Sequence, residues 1–145
     1  MHRYKIIIQY DGSSFSGWQL QKNRDTVQGE IENALKIISG SNDRIAVHGS
    51  GRTDSGVHAY GQVAHFDLET NLKSIDLCNA INSNTSQNCR IMSIAKVAND
   101  FESRFDAIKR RYRYQVYLGN SLLYRNQAWL INDLDIKILE DLSGI

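Results

Sequence analysis

Proline is absent from the 145-residue sequence, so no proline-rich linker divides it, and cysteine occurs only at Cys78 and Cys89. Two cysteines without C-x-x-C spacing exclude a disulfide framework, and we expect free, buried thiols in a reducing compartment. The sequence also lacks any apolar run near the ~20 residues that span a bilayer. Only Ile6, Ile7 and Ile8 follow the basic first residues, which is too short for a signal-peptide core. We therefore expect a cytoplasmic protein with no membrane segment.

A dominant charge of one sign is also lacking, because 17 Lys and Arg residues face 16 Asp and Glu residues for a net charge of +1. This balance does not by itself indicate a nucleic-acid binder. The distribution is more informative, since the segment 103–113 contains the basic residues Arg104, Lys109, Arg110, Arg111 and Arg113 against a single acid. Such a basic stripe favours contact with a phosphate backbone, although charge runs more often form solvated surface.

What the sequence does contain is the apolar content of a globular domain, 41% of its residues. Apolar periodicity predicts strands at 3–10, 44–48, 62–67 and 90–97, the last buried on both faces, and helices at 25–40 and 72–81. The first helix is expected to have Asp25 as its cap and Gly40 as its stop. The order strand, helix, strand, strand, helix, strand predicts an α+β fold, a ferredoxin-like βαββαβ sheet with helices on one face. An extra strand is expected at 111–118.

One loop between the second and third predicted strands is rich in chemistry. Residues 51–58, with the sequence GRTDSGVH, hold a guanidinium, a carboxylate, two hydroxyls and an imidazole. Composition alone favours an ordinary surface turn, because Thr-Asp-Ser-Gly is good turn chemistry. Ser50, Asp54 and His58 contain the residue types of a hydrolase triad, but no G-x-S-x-G elbow surrounds Ser50. The histidines and cysteines lack the paired spacing of zinc ligands, so no metal site is expected.

The exact sequence of this loop is more informative than its composition. The run GRTDSGVHA at 51–59 closely resembles the signature of the tRNA pseudouridine synthase A family. Other blocks that resemble the family follow in the right order, namely Tyr10-Asp11-Gly12, Gly17-Trp18-Gln19, Thr26-Val27-Gln28, the segment 61–66, Arg104-Phe105 and the segment 109–114. The likeness covers nearly the whole chain. The sequence departs from the family after the second helix, where Asn84-Thr85-Ser86 stands in place of the family's leucine-proline step. This difference affects the expected geometry of that loop.

The resemblance implies roles for particular residues. Asp54 matches the family's catalytic aspartate, and Arg52 matches the arginine that assists in flipping the target uridine. Tyr112 matches the tyrosine that stacks on the flipped base. Arg104, Arg110 and Arg111 are expected to contact RNA phosphates. Because uridine and pseudouridine are isomers, no cofactor and no metal are expected.

The resemblance also implies the partner and the assembly. Family members form homodimers that modify uridines in the anticodon stem-loop of tRNA, at tRNA positions 38, 39 and 40. They consist of roughly two modules, about 250 residues. We therefore expect residues 1–131 to be an N-terminal domain with the catalytic loop, and residues 132–145 to begin a helix that leads to a missing C-terminal domain. Such a fragment is expected to be inactive alone.

A non-catalytic RNA-binding module is the alternative hypothesis. Sheets of this kind bind single strands through exposed aromatic residues, and Trp18, Tyr112 and Tyr114 are candidates for stacking. The RNP1 pattern of such modules is absent. A large aromatic residue at the position of Trp18 is more often a plug beneath its loop than a platform for base stacking. The two hypotheses differ in whether Asp54 supports turnover.

Overall fold

The computed structural model of the protein describes residues 1–132 and residue 137. The chain forms two compact units, residues 1–108 and residues 109–145. In the first unit the elements are β1 (His2–Tyr10), α1 (Val27–Ser39), β2 (His48–Gly49), β3 (Ala59–Leu68), α2 (Ser74–Ser83) and β4 (Cys89–Val97). Their strands form one antiparallel sheet in the order β2-β3-β1-β4. The predicted α+β, ferredoxin-like βαββαβ arrangement is confirmed.

Alternation along β1 builds the core. The even-numbered residues of this central strand are buried, namely Tyr4, Ile6, Ile8 and Tyr10. They share one apolar cluster with Ile31 and Leu35 of α1 and with Leu77 and Ile81 of α2. Burial of each such side chain contributes about 1.5–3 kcal/mol to stability. Both helices therefore cover the same face of the sheet, as the sequence predicts.

The ends of α1 differ slightly from prediction. Thr26, and not Asp25, is the N-cap, because its side chain accepts a hydrogen bond from the backbone N–H of Gly29. Gly40 ends the helix in a left-handed conformation with φ of 63°, which confirms the predicted stop. Gly29 packs closely against its neighbours, since an added Cβ would lie 2.9 Å from Thr26 Oγ1 and 3.0 Å from Leu20 Cδ1.

The strands around the 51–58 loop and at the sheet edge also differ from prediction. The second strand contains only His48–Gly49, and the third begins earlier than expected, at Ala59. The prediction that the fourth strand is buried on both faces is wrong. β4 is an edge strand with helices on one side only, so its buried residues alternate with exposed ones such as Met92.

In the second unit, β5 (Val116–Leu118) pairs in parallel with β6 (Trp129–Ile131). The extra strand exists, but it is shorter than the predicted 111–118, and its partner is β6 and not the four-stranded sheet. Residues 111–115 form no strand, and all of them are exposed. The alternating pattern of these residues therefore does not correspond to a buried face. The helix predicted at the end of the chain falls outside the described residues except for Asn132 and Lys137. The predicted domain bounds 1–131 and 132–145 stay a prediction.

Two findings bear on the predicted membrane and thiol properties. Among the described residues, no helix has the length and apolarity needed to cross a membrane. Cys78 and Cys89 are free and buried, as predicted. Burial raises the pKa of the Cys89 thiol to about 12.

A polar cluster covers part of the opposite face of the sheet. Arg3 of β1 donates two hydrogen bonds to Asp67 of β3, at 2.8 and 2.7 Å, and a third to the carbonyl of Phe101 at 2.9 Å. His65 is buried beside it, where its Nδ1 accepts from the backbone N–H of Ser103. Burial lowers the pKa of His65, which favours the neutral ring. These contacts fasten the segment after β4 to the sheet.

Candidate active site

The 51–58 loop leaves and re-enters the sheet between β2 and β3, and its first residues are fixed to β3. The backbone N–H of Ser50 donates to the carbonyl of Val63 at 2.7 Å. The side chain of Gln62 donates to the carbonyl of Gly51 at 2.7 Å and accepts from the Ser50 hydroxyl at 2.9 Å. The start of the loop is therefore held by three hydrogen bonds before Arg52 is reached.

The middle of the loop is docked on the segment that follows β1. The backbone N–H of Trp18 donates to the carbonyl of Thr53 at 3.0 Å, and the hydroxyls of Tyr10 and Thr53 lie 2.8 Å apart. The hydroxyl of Ser55 donates to the carbonyl of Phe15 at 3.2 Å. Asp54 therefore stands between two residues that are both anchored to the first strand or its following loop.

Glycine permits this docking at two positions. A Cβ on Gly12 would lie 2.1 Å from the carbonyl oxygen of Val57, and one on Gly17 would lie 2.6 Å from that of Thr53. Gly17 also has a φ of 94°, a conformation that L side chains rarely adopt. Trp18 beside it is buried, which confirms the predicted plug and removes this ring from the candidates for base stacking. The two backbones can approach only because these side chains are absent.

The end of the loop is held by His58. Its Nδ1 lies 3.0 Å from Asp11 Oδ1 and 3.2 Å from the backbone nitrogen of Gly12. An Nδ1 without a proton accepts the Gly12 N–H, whereas a protonated Nδ1 donates to the Asp11 carboxylate. The pKa of Asp11 is lowered, chiefly by hydrogen bonds from Ser13. The Asp11 carboxylate is therefore ionised whichever role His58 Nδ1 takes. His58 thus makes a positioning contact at the end of the loop.

A buried polar network supports the neighbouring segment. Glu32 of α1 is buried, and its carboxylate accepts hydrogen bonds from Gln28, Arg44 and the backbone N–H of Val47. Gln28 in turn accepts from the backbone N–H of Leu20 at 2.8 Å. The loop that precedes α1 is therefore tied to the interior through a fully paired carboxylate.

Asp54 opens into a pocket of about 430 Å³. The pocket is lined by Ser16, Gln19, Gln21, Arg24, Arg52, Thr53, Asp54 and Ser55. The side chain of Asp54 is exposed, and among the described residues its carboxylate forms no hydrogen bond or ion pair. An exposed, unpaired carboxylate on a rigid loop is available to a reacting atom. A volume of this size is typical of small-molecule sites.

The structure brings together two of the residues predicted from the sequence, Arg52 and Asp54. Arg104 lies in the first unit, outside the pocket lining, with its guanidinium 5.8 Å from the centroid of the Phe105 ring. Arg110, Arg111 and Tyr112 belong to the second unit, where all three are exposed. Their roles stay predictions.

Sequence reasoning missed the other half of the pocket. Ser16, Gln19, Gln21 and Arg24 line it, although they are far from the 51–58 loop along the chain. The sequence indicates a role in the site only for Gln19, which belongs to a block that resembles the family. No sequence pattern indicates such a role for Arg24. Within the described ranges, no three His, Cys, Asp or Glu side chains cluster as metal ligands would.

Comparison of the sequence with known proteins identifies its relatives. The family model described as tRNA pseudouridine synthase matches residues 6–106, which begin within β1, extend past the end of β4 and contain the 51–58 loop. The tRNA pseudouridine synthase A of Maridesulfovibrio salexigens is 45% identical over 143 residues, which cover 97% of this chain and 52% of that protein. That of Limosilactobacillus fermentum is 48% identical over 120 residues, covering 82% of this chain and 46% of that protein.

A third relative gives the same result over the full length of this chain. The tRNA pseudouridine synthase A of Afipia carboxidovorans is 41% identical over 149 residues, which cover 100% of this chain and 60% of that protein. The chain thus spans about half the length of the curated relatives it matches. A family match over more than half of the chain, with a docked aspartate loop inside the matched region, leads to one conclusion: the chain belongs to the tRNA pseudouridine synthase family.

Proposed function

We propose that this chain supplies the catalytic aspartate of a tRNA pseudouridine synthase, an isomerase that converts uridine to pseudouridine in tRNA. The observation that carries the proposal is the setting of Asp54. Its carboxylate is exposed in the 430 Å³ pocket beside Arg52, on a loop that hydrogen bonds hold at both ends. Two relatives that match nearly the whole chain are named tRNA pseudouridine synthase A.

The reaction explains why one carboxylate is enough. The C1′–N1 glycosidic bond of uridine breaks, the uracil turns, and a C1′–C5 bond forms; C5 loses its proton and N1 gains one. Asp54 acts as the nucleophile at C1′, as the carboxylate of a retaining glycosidase does. The leaving uracil is itself the returning nucleophile, so a second catalytic acid is not required. Atoms and electrons balance without a redox partner.

The other site residues act on the RNA. A uridine within a stem must first leave its stack, which costs a few kcal/mol. Arg52, two residues before Asp54 in the same pocket, assists the flipping of the target uridine. Tyr112 stacks on the flipped base, and its exposure in the second unit is compatible with that role. Arg104, Arg110 and Arg111 contact phosphates, and each is exposed.

The finer parts of the proposal rest on the resemblance of the sequence. The target uridines are those of the anticodon stem-loop of tRNA, and the natural protein is a cytoplasmic homodimer. Neither part is needed for the chemistry at Asp54. Each is open to its own measurement, by mapping pseudouridine in tRNA and by determining the oligomeric state in solution.

The test is tritium release from a tRNA transcript labelled at uridine C5, with the natural full-length protein. Asp54→Asn keeps the shape of the side chain and is expected to abolish release while tRNA affinity changes little. Asp43→Asn, which removes an exposed carboxylate outside the pocket, is the matched control and is expected to retain activity. Equal release by Asp54→Asn and wild type would refute the catalytic assignment. Binding without release by the wild type would indicate the RNA-binding module instead.

A further inference from the structure

Arg24 lines the same pocket as Asp54, although thirty positions separate the two in the sequence. It lies in a turn just before α1, and the preceding residue, Asn23, has a φ of 59°. A left-handed residue of this kind is tolerated by asparagine and redirects the chain sharply. The turn therefore places Arg24 at the pocket that contains the reacting carboxylate.

The turn is braced on both sides of Arg24. The backbone N–H of Ser16 donates to the carbonyl of Asp25 at 2.7 Å, and the side chain of Gln21 donates to the carbonyl of Ser16 at 2.9 Å. Thr26 then caps α1. A long basic side chain on a mobile loop is usually only solvated, but here the backbone on which it stands is fixed before any ligand arrives.

The charges of the pocket favour an anion. Arg24 and Arg52 contribute two positive charges and Asp54 one negative charge to the lining. Among the described residues, neither guanidinium forms a side-chain hydrogen bond or ion pair. Guanidinium groups bind phosphate oxygens through paired N–H donors. A phosphodiester brought next to the Asp54 carboxylate is repelled by it, and a second cation in the pocket offsets that repulsion.

We propose that Arg24 binds a backbone phosphate next to the target nucleotide and so positions its ribose over Asp54. This assignment rests on the proposed function of Asp54. In this arrangement Arg52 acts on the flipped nucleotide, and Arg24 binds the neighbouring phosphate. Lys22, in the same turn, does not line the pocket and has no such role.

Arg24→Ala tests the contact in the natural full-length protein, with an unmodified tRNA transcript as the probe. Loss of one charge-assisted contact is expected to weaken tRNA binding about tenfold. The slope of log K against log salt is expected to become shallower by about one. Arg24→Lys keeps the charge and is expected to recover part of the affinity. Lys22→Ala removes an exposed cation two residues away and is expected to change affinity less than about twofold, within the range of ordinary surface substitutions.

A chemical double-mutant cycle separates a specific contact from a general change in charge. The modified uridine is first mapped with the wild-type protein, and a neutral methylphosphonate is then placed at each phosphate that flanks it. At the contacted phosphate, Arg24→Ala is expected to add nothing to the loss that the methylphosphonate causes. Additive losses at both phosphates would overturn the assignment of Arg24 in an active enzyme. Absence of pseudouridine with the wild-type protein would instead overturn the proposed function.

Discussion

The hydroxyl of Tyr10 lies 2.8 Å from the hydroxyl of Thr53, and this contact ties the residue before Asp54 to the end of β1. Burial raises the pKa of Tyr10, so the phenol is protonated at neutral pH and shares a true hydrogen bond. Tyr10 is also part of the apolar core. The 51–58 loop is thus tied directly to an inner strand of the sheet.

Tyr10→Phe removes this hydrogen bond and leaves the ring. We expect the free energy of unfolding to fall by about 1 kcal/mol, and kcat to fall about tenfold because Asp54 is less well placed. Denaturant unfolding and tritium release measure the two effects. Tyr4→Phe is the matched control, since the buried Tyr4 hydroxyl has no hydrogen-bond partner in the described structure. If both substitutions have the same effect on kcat, the Tyr10–Thr53 contact does not position the loop.

Gly17→Ala is expected to separate the 51–58 loop from its support. The added Cβ combines a φ of 94° with a distance of 2.6 Å from the carbonyl oxygen of Thr53. Strain and overpacking together give a loss of about 2–4 kcal/mol in unfolding free energy, with loss of activity. Gly40→Ala is the control, because Gly40 has a φ of 63° and an added Cβ would meet no atom within 4 Å. It introduces backbone strain without overpacking, and we expect the unfolding free energy to fall by about 1 kcal/mol without loss of activity. Equal losses for the two variants would contradict the packing argument.

Glu32→Ala removes the acceptor of the buried network. The backbone N–H of Val47 would remain buried without a partner, and the amide of Gln28 would keep only its hydrogen bond to the carbonyl of Val47. We therefore expect a loss of about 3 kcal/mol in a denaturant titration. Glu30→Ala on the same helix removes an exposed contact to Ser86 and is expected to cost about 1 kcal/mol or less. A smaller loss for Glu32→Ala than for Glu30→Ala would show that the network does not stabilise the fold.

Asp67 is expected to contribute to acid sensitivity. Hydrogen bonds from Arg3 hold the pKa of the Asp67 carboxyl below its ordinary value of 3.8. Because the folded-state pKa is the lower one, the stabilisation is complete above the unfolded value and is lost as pH falls below it, through the folded pKa. Asp67→Asn should therefore reduce stability at pH 7 and reduce the further drop in Tm on acidification below about pH 4. Asp43→Asn is the matched control, and an identical acid profile for both variants would refute this role of Asp67.

Local sequence patterns were sufficient for much of the fold. The alternation of apolar even-numbered residues with Arg3, Lys5 and Gln9 identified β1 despite the apolar Ile7. The left-handed Gly40 was recognisable as a helix stop because glycine adopts that conformation readily. Local pattern failed where tertiary contacts decide. Residues 111–115 alternate as a strand does, yet they form none, and β5 takes β6 as its partner. Strand pairing is non-local, so the sequence of one segment does not specify it.

The candidate site divides in the same way. Asp54 and Arg52 were recognisable in the sequence because they lie in one short run that resembles a family signature. Arg24 was not, since an arginine in a turn has no distinguishing pattern, and only the folded chain places it in the pocket of Asp54. The sequence by itself determined the order of helices and strands, the aspartate loop and the family. The tertiary structure decided which loops meet and which cations surround the carboxylate, because those depend on contacts between residues distant in the chain.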